Sequence, residues 1–327
     1  MQRIDTFLVE HNLVESREQA KRLILAGAVT VNGNASIKPG HRIPDDAEVI
    51  VKAQEKYVSR GGVKLEKALS TFNVDVRNRV ALDVGASTGG FTDCLLQHGA
   101  KFVYAVDVGY GQLAWKLRTH PQVKSIEKTN IRHLTPTLLN RDEGTLKKHP
   151  SKNPVHDSKD FISIAVIDVS FISLRTVLPR VIKLLTQANS FQLRRRPSQN
   201  DDLLTENRKV FRRKTVLTTD NHSYDIIALL KPQFEAGKAH VKKGGIVSDK
   251  QVHIETIDNL STFVREKLGA TVHGLTYSPI HKGIGNIEYL LWLTLNPNPD
   301  VSRLEKHEKP KQTTAEIVAD AHEAFGS

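Results

Sequence analysis

Apolar residues recur at helical spacing twice in the first 55 residues, and short apolar runs follow them. The second helix is expected to begin after Ser16, whose hydroxyl with Gln19 three residues on forms a capping box, and to end at Gly27. A strand is expected at 29–31, and Asn32-Gly33 directly after it is a strong hairpin signal. Lys38-Pro39-Gly40 is expected to form another turn, and a strand at 48–51 to close the unit. Residues 1–55 therefore predict a small α+β unit. The apolar positions that define the two helices are Ile4, Phe7, Leu8 and Leu13, then Ala20, Leu23 and Ile24.

From residue 80 onward, short apolar runs alternate with helical patterns, which is typical of an α/β domain with a parallel sheet. This domain is expected to span 80–296, after a linker at 56–79 that contains a helix at 63–72. Polar, basic insertions are expected at about 135–160 and 189–222. A charged tail is expected at 297–327, with a helix over part of it as an open alternative. The predicted strands are 80–84, 103–106, 123–126, 162–167, 226–230, 271–275 and 287–295, and the later helices are 91–98, 112–118, 174–185 and 250–267.

The stretch ALDVGASTGGFTDCLLQHGAKFVYAVD places a glycine-rich loop between a strand and a helix. Its glycines permit close approach of a ligand, and the helix start offers free N–H groups. Asp107, about twenty residues on, suits a ribose. The loop lacks both the G-x-G-x-x-G pattern and a phosphate-loop lysine, which favours an adenosine ligand such as S-adenosylmethionine; a turn that only closes a strand–helix corner stays an alternative. The candidate cofactor-binding residues are Gly85, Ala86, Ser87, Thr88, Gly89, Gly90, Asp107, Asn130 and Asp168.

Composition narrows the class of protein. A net charge of +11 indicates a polyanionic partner, although a generic basic surface is the alternative. The single cysteine, Cys94, excludes an internal disulfide and is expected to pack as a small hydrophobic residue. No long apolar run or secretory leader is present in the sequence, so we expect a cytoplasmic protein with no membrane partner. No metal is expected.

Basic residues in the first unit form a candidate phosphate-binding surface. The second helix presents Arg17, Lys21 and Arg22, and Arg3, Lys38 and Arg42 extend the patch. A solvated helix face is the alternative. The stretch RIDTFLVEHNLVESREQAKRLILAGAVTVNG resembles the RNA-binding module of ribosomal small-subunit protein four, which implies an RNA-binding role for residues 2–51.

Four polar residues stand at the ends of predicted elements. Lys64 lies at a helix start, Asp168 and Lys231 each follow an apolar strand, and Glu288 begins another. Ligands of open α/β sheets bind at the carboxyl ends of strands, so Asp168 and Lys231 should face the pocket that the glycine loop opens. Each residue alone is also compatible with an ordinary surface ion pair.

Six further stretches resemble the TlyA family: SRGGVKLEKAL, the glycine-loop stretch, YAVDVGYGQLAWKLR, IDVSFISL, LLKPQFEAG and GIGNIEYLLWL. These haemolysin-named proteins act as rRNA 2′-O-methyltransferases with an FtsJ-type catalytic domain. The resemblance covers residues 2–295 except for the two insertions, which typical members lack. It implies a Rossmann-like class I S-adenosylmethionine-dependent methyltransferase domain, with a central, mostly parallel sheet and helices on both faces, preceded by the small α+β RNA-binding domain.

The same resemblance implies that Lys64, Asp168, Lys231 and Glu288 form the catalytic Lys–Asp–Lys–Glu tetrad. Lys231 is then the expected base for a ribose 2′-hydroxyl, and Asp168 orients it. The expected partner is rRNA or a ribosomal subunit, and the oligomeric state is not indicated. Two alternatives stay open: a non-catalytic RNA-binding or ribosome-assembly factor, and a membrane-lytic haemolysin.

Overall fold

The computed structural model describes residues 1–35, 38–51, 55–140, 161–193, 223–281, 285–295 and 312–326 of the 327-residue chain. Backbone contacts divide the chain into two compact units, Met1–Lys56 and Tyr57–Ser327. Each unit has a hydrophobic core of its own, and each is described by itself.

The first unit packs two helices against short strands. Most of its predicted apolar helix positions meet in one core, with Ile4 and Leu8 fully buried beside Ile43. Leu13 is the exception, because it lies beyond the end of α1 and is 41% exposed. β1 pairs with β3, and β2 pairs with β4, both antiparallel. The elements are β1 (Gln2–Arg3), α1 (Ile4–Glu10), α2 (Arg17–Leu25), β2 (Val29–Val31), β3 (Arg42–Ile43) and β4 (Val49–Val51).

The capping of α2 differs in one bond from the predicted capping box. The Ser16 hydroxyl accepts the N–H of Gln19 at 3.2 Å, as expected. The Gln19 side chain, however, accepts from the N–H of Glu15 at 2.9 Å and not from that of Ser16. The Gln19 side chain therefore pairs the backbone N–H of Glu15, which lies one residue before the capping residue and outside the helix. The helix ends as predicted, with Gly27 in a left-handed conformation at φ +69°.

The turn at Asn32-Gly33 has the expected left-handed backbone, with φ of 49° and 76°. It closes only one bridge, between Val31 and Asn34. The strand before it, β2, pairs with β4 and not with the residues that follow the turn. The turn therefore reverses the chain, but the hairpin that the dipeptide predicts does not extend into a ladder.

The second unit is built on a sheet of seven strands with helices on both faces. Its strands are β5 (Val80–Val84), β6 (Phe102–Val106), β7 (Val123–Ile126), β8 (Ile162–Ile167), β9 (Tyr224–Leu230), β10 (Thr271–Tyr277) and β11 (Tyr289–Leu295). Its α-helices are α3 (Gly61–Phe72), α4 (Gly90–Gln97), α5 (Trp115–Arg118), α6 (Pro136–Asn140), α7 (Leu174–Leu193), α8 (Pro232–Glu235), α9 (Lys250–Leu268) and α10 (Thr314–Phe325). Two short 3₁₀ turns lie at Ile131–His133 and Lys238–His240.

The strand order is β10-β11-β9-β8-β5-β6-β7. Strands β7, β6, β5, β8 and β9 are parallel, and β11 runs antiparallel to both of its neighbours. The order reverses between β5 and β8, which is where ligands bind in sheets of this kind. The mostly parallel sheet predicted from the alternation of strands and helices is confirmed.

Alternate residues of the central strands pack on opposite faces of the sheet. In β5, Leu82 and Val84 belong to the larger core, while Ala81 belongs to the core beneath α3 and α4. In β11, Leu291 and Leu290 divide in the same way. Burial on both faces explains why these strands appear in the sequence as continuous apolar runs.

Several predicted element bounds are wrong. The helix expected at 112–118 is only Trp115–Arg118, because Gly111 adopts φ +72° and Ala114 bonds back to Thr88. Helix α7 runs to Leu193 and so passes through the first residues of the expected insertion at 189–222. Likewise α6 occupies part of the expected insertion at 135–160. The remaining residues of both insertions lie outside the described residues.

The segment 297–327, expected to be a charged tail, contributes to the core. Helix α10 buries Ile317, Val318 and Ala321 in the larger core of the second unit. Thr313 caps it, accepting the N–H of Glu316 while the Glu316 side chain bonds back. The apolar residues are few, but their helical spacing gives one buried face. Among the described residues, no helix has both the length and the apolar content needed to cross a membrane.

Candidate functional site

A cavity of about 540 Å³ opens at the carboxyl ends of the central strands of the second unit. This volume is within the range of small-molecule sites. The residues around it come from the start of α3, the glycine loop, the ends of β8 and β9, and the segment before β11. They are Ser59, Arg60, Gly61, Lys64, Gly85, Ala86, Ser87, Thr88, Gly90, Phe91, Asp168, Ser170, Lys231, Gln233, Phe234, Ile280, Gly285, Asn286 and Glu288.

Close backbone contacts explain the glycine-rich loop at the base of the cavity. Gly85 adopts φ +84°, and a Cβ there would lie 2.3 Å from the carbonyl oxygen of Asp168. Gly90 begins α4, and a Cβ there would lie 2.8 Å from the backbone nitrogen of Gly62 in α3. The two helix starts can therefore approach each other, and the loop lies against the end of β8.

Asp168 and Lys231 form an ion pair at the ends of adjacent parallel strands. Asp168 follows β8, Lys231 follows β9, and Lys231 Nζ lies 2.7 Å from Asp168 Oδ1. The same ammonium donates to the Ser170 hydroxyl at 2.9 Å. The Lys231 side chain is only 10% exposed. Within the described part of the chain two of its three N–H groups are occupied, which leaves one donor position for a ligand in the cavity.

Lys64 and Glu288 form a second ion pair on the same cavity. Lys64 lies in the first turn of α3, and Glu288 directly precedes β11. Lys64 Nζ lies 2.5 Å from Glu288 Oε2, and both side chains are about five-sixths buried. The four residues that the TlyA resemblance assigns to the tetrad thus all border one cavity, as two pairs.

The charge of the cavity is not balanced. Within each of the two ion pairs the positive and negative charges cancel. Arg60 also borders the cavity and makes no ion pair within the described part of the chain. An unpaired guanidinium beside a cavity attracts carboxylate or phosphate. The site therefore favours a ligand or substrate with a negative group near the start of α3.

A smaller cavity adjoins the glycine loop on the side of β6 and β7. Asp107 lies at the end of β6, where Oδ2 accepts the Ser87 N–H at 2.8 Å and Oδ1 accepts the Gly109 N–H at 2.6 Å. Each oxygen keeps a lone pair for a further donor. Glu127 and Gln112, which the sequence did not single out, also border this cavity.

Asn130 does not border either cavity. Its side-chain oxygen accepts the N–H of Arg132 at 3.0 Å and so caps the 3₁₀ turn that begins with Ile131. The neighbouring Thr129 N–H donates to the Asp107 carbonyl at 2.9 Å, and the capping bond uses only the side-chain oxygen of Asn130. The assignment of Asn130 to the cofactor therefore stays a prediction.

A buried carboxyl lies beneath the glycine loop. Asp83, in β5, is fully buried, and its Oδ2 accepts from the Thr92 hydroxyl at 2.6 Å. Its other oxygen has no partner among the described residues. Burial raises the pKa of Asp83 to about 7, against the opposing effect of the Thr92 bond. The site therefore contains a carboxyl group that titrates near neutral pH.

Phe171 is an aromatic side chain that the sequence did not single out as functional. It is 92% exposed, and its backbone is left-handed at φ 63°. Such a conformation is unfavourable for a bulky residue and is found at functional sites. Its ring centroid lies 5.2 Å from that of Phe234, which borders the cavity. An exposed aromatic ring beside a cavity can stack on a planar group.

In the first unit, Asp5 holds two of the predicted RNA-binding residues together. Its buried carboxylate accepts from Arg3 at 2.9 Å and from Arg17 at 3.0 Å. Hydrogen bonding from Arg3, followed by that from Arg17, holds the pKa of Asp5 well below its usual range. About half of each arginine side chain stays exposed, so both can still contact a phosphate.

The other predicted RNA-binding residues lie on the surface of the first unit. Arg22, Lys38 and Arg42 are exposed, and Lys21 is partly exposed and pairs with Glu18 at 2.9 Å. Arg42 donates to the Met1 carbonyl at 3.4 Å. These contacts use few of the available donors, which leaves a basic surface.

The chain resembles two known protein families over almost its whole described length. The family described as FtsJ-like methyltransferase matches residues 57–295, and the S4 domain matches residues 2–49. The chain is 41% identical to Bacillus subtilis "Putative rRNA methyltransferase YqxC", over 99% of this chain and 95% of the relative. It is 36% identical to Mycobacterium tuberculosis 16S/23S rRNA (cytidine-2′-O)-methyltransferase TlyA, over 89% of each chain.

A solved structure agrees with these matches. "Putative hemolysin from Streptococcus thermophilus" is 38% identical and covers 99% of this chain and 97% of its own, with a TM-score of 0.60. The family matches, the sheet order and the cavity at the strand ends all indicate the same class of protein. The chain belongs to the FtsJ-like methyltransferases that carry an N-terminal S4 domain, together with its TlyA-named relatives.

Proposed function

We propose that this protein methylates a ribose 2′-hydroxyl of rRNA. The observation that supports this most strongly is the pair of ion pairs, Lys231–Asp168 and Lys64–Glu288, on one cavity beside the glycine loop. Relatives named as rRNA (cytidine-2′-O)-methyltransferases support the choice of rRNA and of the 2′-oxygen. An S4 domain and a net charge of +11 fit an RNA partner. A cytoplasmic location is part of the proposal.

S-adenosylmethionine is the cofactor, and it supplies an electrophilic methyl group when bound. The residues that border the two cavities suit the adenosine part of this cofactor. The glycine loop admits a ligand close to the backbone, and Asp107 keeps acceptor capacity for ribose hydroxyls. We assign cofactor binding to Gly85, Ala86, Ser87, Thr88, Gly89 and Gly90 with Asp107, and we assign Glu127 to the same site because it borders the smaller cavity.

Lys231 is assigned the role of general base. A ribose 2′-hydroxyl is a weak acid, so methylation of its oxygen requires a group that removes the proton. In its neutral form the Lys231 amine accepts that proton. Asp168 and Ser170 fix the position of the amine through bonds of 2.7 and 2.9 Å. Fixing the base in this way contributes to the rate because the reacting groups need alignment.

Lys64 and Glu288 are assigned to the acceptor ribose. Together they present a donor and an acceptor to sugar hydroxyls in the cavity. Arg60 is the candidate contact for the phosphate of the acceptor nucleotide. Phe171 is the candidate surface on which its base stacks, because enzymes that act on one nucleotide commonly take it out of the helical stack.

The test is methyl transfer in a defined system. Purified protein, S-adenosylmethionine with a tritiated methyl group, and rRNA or ribosomal subunits are incubated together, and the RNA is then hydrolysed to nucleosides. The proposal expects label in a 2′-O-methylated nucleoside. Label only in a methylated base would contradict the assignment of the 2′-hydroxyl, and RNA binding without transfer would favour a non-catalytic RNA-binding factor.

A further inference from the structure

Helix α10 lies beyond the residues that match the methyltransferase family, yet it packs against α9 and β10 of that domain. Two of its residues are linked to two segments on the acceptor side of the site. Residues 278–281 with 285–288, which precede β11, include cavity-lining residues, and residues 237–249, which follow α8, bond to Asn286 of that lining. The contacts run through His322 and Phe325.

The first contact passes through a buried histidine. His322 Nε2 lies 3.2 Å from His253 Nδ1, and His253 Nε2 lies 2.9 Å from the carbonyl oxygen of Val247. A carbonyl can only accept, so His253 Nε2 donates. Burial lowers the pKa of His253 to about 4, which keeps the ring neutral at physiological pH. Its Nδ1 is therefore the acceptor, and its single lone pair is shared between the Tyr289 hydroxyl at 2.8 Å and His322 Nε2 at 3.2 Å.

From Val247 the contact continues to the cavity. The Val247 N–H donates to Asn286 Oδ1 at 2.7 Å, and Asn286 Nδ2 donates to the Gly245 carbonyl at 2.8 Å. Asn286 borders the cavity two residues before Glu288. Gly244 and Gly245 both have positive φ, and a bridge between Lys242 and Ile246 closes the turn that they form. The bond from His253 fixes this turn to α9 at Val247.

The second contact is aromatic. Phe325 stacks on His281, with ring centroids 4.7 Å apart and planes at 20°, and it meets Tyr277 edge-on at 5.8 Å. His281 Nε2 lies 2.9 Å from the Gly285 carbonyl. Gly285 and Ile280 border the cavity. The end of α10 thus supports the segment that leads to Glu288.

We propose that α10 is a positioning element, in which His322 and Phe325 hold Asn286 and Glu288 in the geometry that the acceptor nucleotide needs. The inference rests on the proposed function, because the wall that α10 supports is the one assigned to the acceptor ribose. His322 and Phe325 touch neither cavity, so they act only through the residues they hold.

The experiment compares His322→Leu, which removes the N–H donor, with His322→Gln, which keeps a donor near the position of Nε2. The matched control is Val318→Ala, one turn earlier on the same buried face, which loosens α10 in the core without removing a bond to His253. Four quantities are measured on the full chain: kcat and KM for rRNA methylation, affinity for S-adenosylmethionine, and hydrogen exchange of residues 243–249.

His322→Leu is expected to lower kcat for rRNA about ten-fold or more, because small misplacement of reacting groups is costly, and to leave cofactor affinity unchanged. Exchange of residues 243–249 should rise. His322→Gln should recover most of the rate, and Val318→Ala should lose thermal stability while its folded fraction keeps the wild-type kcat. Phe325→Leu, tested in the same way, should raise exchange of the segment around Gly285.

Two results would overturn the positioning role. One is wild-type turnover in His322→Leu. The other is an equal loss of rate in His322→Leu and Val318→Ala, which would mean that α10 acts only through stability. Failure of the unaltered chain to methylate rRNA would instead overturn the proposed function, and the exchange measurement would still decide whether His322 restrains the loop.

Discussion

The two ends of the central sheet in the second unit carry similar ion pairs, which differ in the number of further hydrogen bonds that hold them. At the amino ends of the strands, Arg79 pairs with Asp225 at 2.7 Å. At the carboxyl ends, Lys231 pairs with Asp168 at the same distance. The side chains are 20% and 16% exposed in the first pair, and 10% and 22% in the second. Burial and distance do not separate the two pairs.

The number of hydrogen bonds does separate them. Arg79 makes four: with Asp225, with the carbonyl of Asp75, and with both the hydroxyl and the carbonyl of Ser163. Asp225 also accepts from Trp292 at 2.7 Å. Lys231 makes two such bonds among the described residues and faces a cavity. A pair that several further bonds hold away from any substrate site stabilises the fold, while a pair that borders a cavity is available to a substrate.

Lys231→Ala should give the largest effect on chemistry, and because it leaves Asp168 without its cation it should also cost some stability. Loss of the base is expected to lower methyl transfer about 10²–10⁴-fold. Because Lys231 does not belong to the glycine loop, affinity for S-adenosylmethionine should persist. Tritium transfer and calorimetric titration with the cofactor measure the two quantities. Lys231→Arg is the control, since it keeps the positive charge but cannot act as a base at neutral pH; full activity in it would remove the general-base role.

Asp83→Asn tests the incomplete carboxyl at the same end of the sheet. Because the folded pKa of Asp83 is raised to about 7, the unfolded chain loses this proton at lower pH than the folded chain does. Asp83 therefore costs stability progressively as pH rises from about 4 to 7, and the full cost persists above that. Asparagine mimics the protonated form, so the variant should gain on the order of 3 kcal/mol over wild type at pH 8.

The same variant should show little advantage at pH 4. Thermal unfolding of both proteins from pH 4 to pH 8 measures the difference. A difference in stability that does not change with pH would show that Asp83 is ionised throughout, and the account of the buried carboxyl would be wrong.

Arg79→Met should act at the opposite end and in the opposite way. It leaves Asp225 without its cation, and removal of one partner from a largely buried pair is expected to cost about 2 kcal/mol or more in the free energy of unfolding. Denaturant unfolding measures this loss. The folded protein should keep wild-type turnover. A selective loss of turnover at unchanged stability would contradict the division between the two ends.

Phe171→Ala should give the smallest of these effects. Loss of one stacking contact is expected to weaken binding of the acceptor nucleotide by about 1–2 kcal/mol, seen as a higher KM for rRNA. Stability should stay the same or rise, because the exposed ring has a strained backbone and few contacts. Phe171→Tyr keeps an aromatic surface and should restore KM. An unchanged KM in the alanine variant would exclude stacking at this position.

The sequence predicted the central strands well because they are buried on both faces. The bounds of β5, β7 and β8 match the predicted 80–84, 123–126 and 162–167. The rule that strand ends carry the site also brought Asp168 and Lys231 together correctly. The pairing of Lys64 with Glu288 joins residues 224 positions apart, and only the family resemblance anticipated it.

Features that depend on packing between distant segments were not predictable. Nothing local in the sequence distinguishes Phe171, which is exposed, from Phe91, which is buried. The segment that contains α10 was predicted to be a charged tail because charged residues dominate it. Its apolar residues Ile317, Val318 and Ala321 nevertheless have helical spacing and form one buried face. Asn130 follows a strand and was assigned to a ligand by position, and the cap that its side-chain oxygen forms on its own turn was not predicted. Short polar side chains often bond to the nearest backbone in this way.

The most direct test of the central claim locates the methyl group made by three proteins: the unaltered chain, Lys231→Ala and Arg79→Met. Each is incubated with rRNA or ribosomal subunits and labelled S-adenosylmethionine at a temperature where all are folded, and the product nucleoside is identified. The account predicts a 2′-O-methylated nucleoside from the unaltered chain and from Arg79→Met, and almost none from Lys231→Ala. Equal product from Lys231→Ala, or a methyl group on a base, would contradict it.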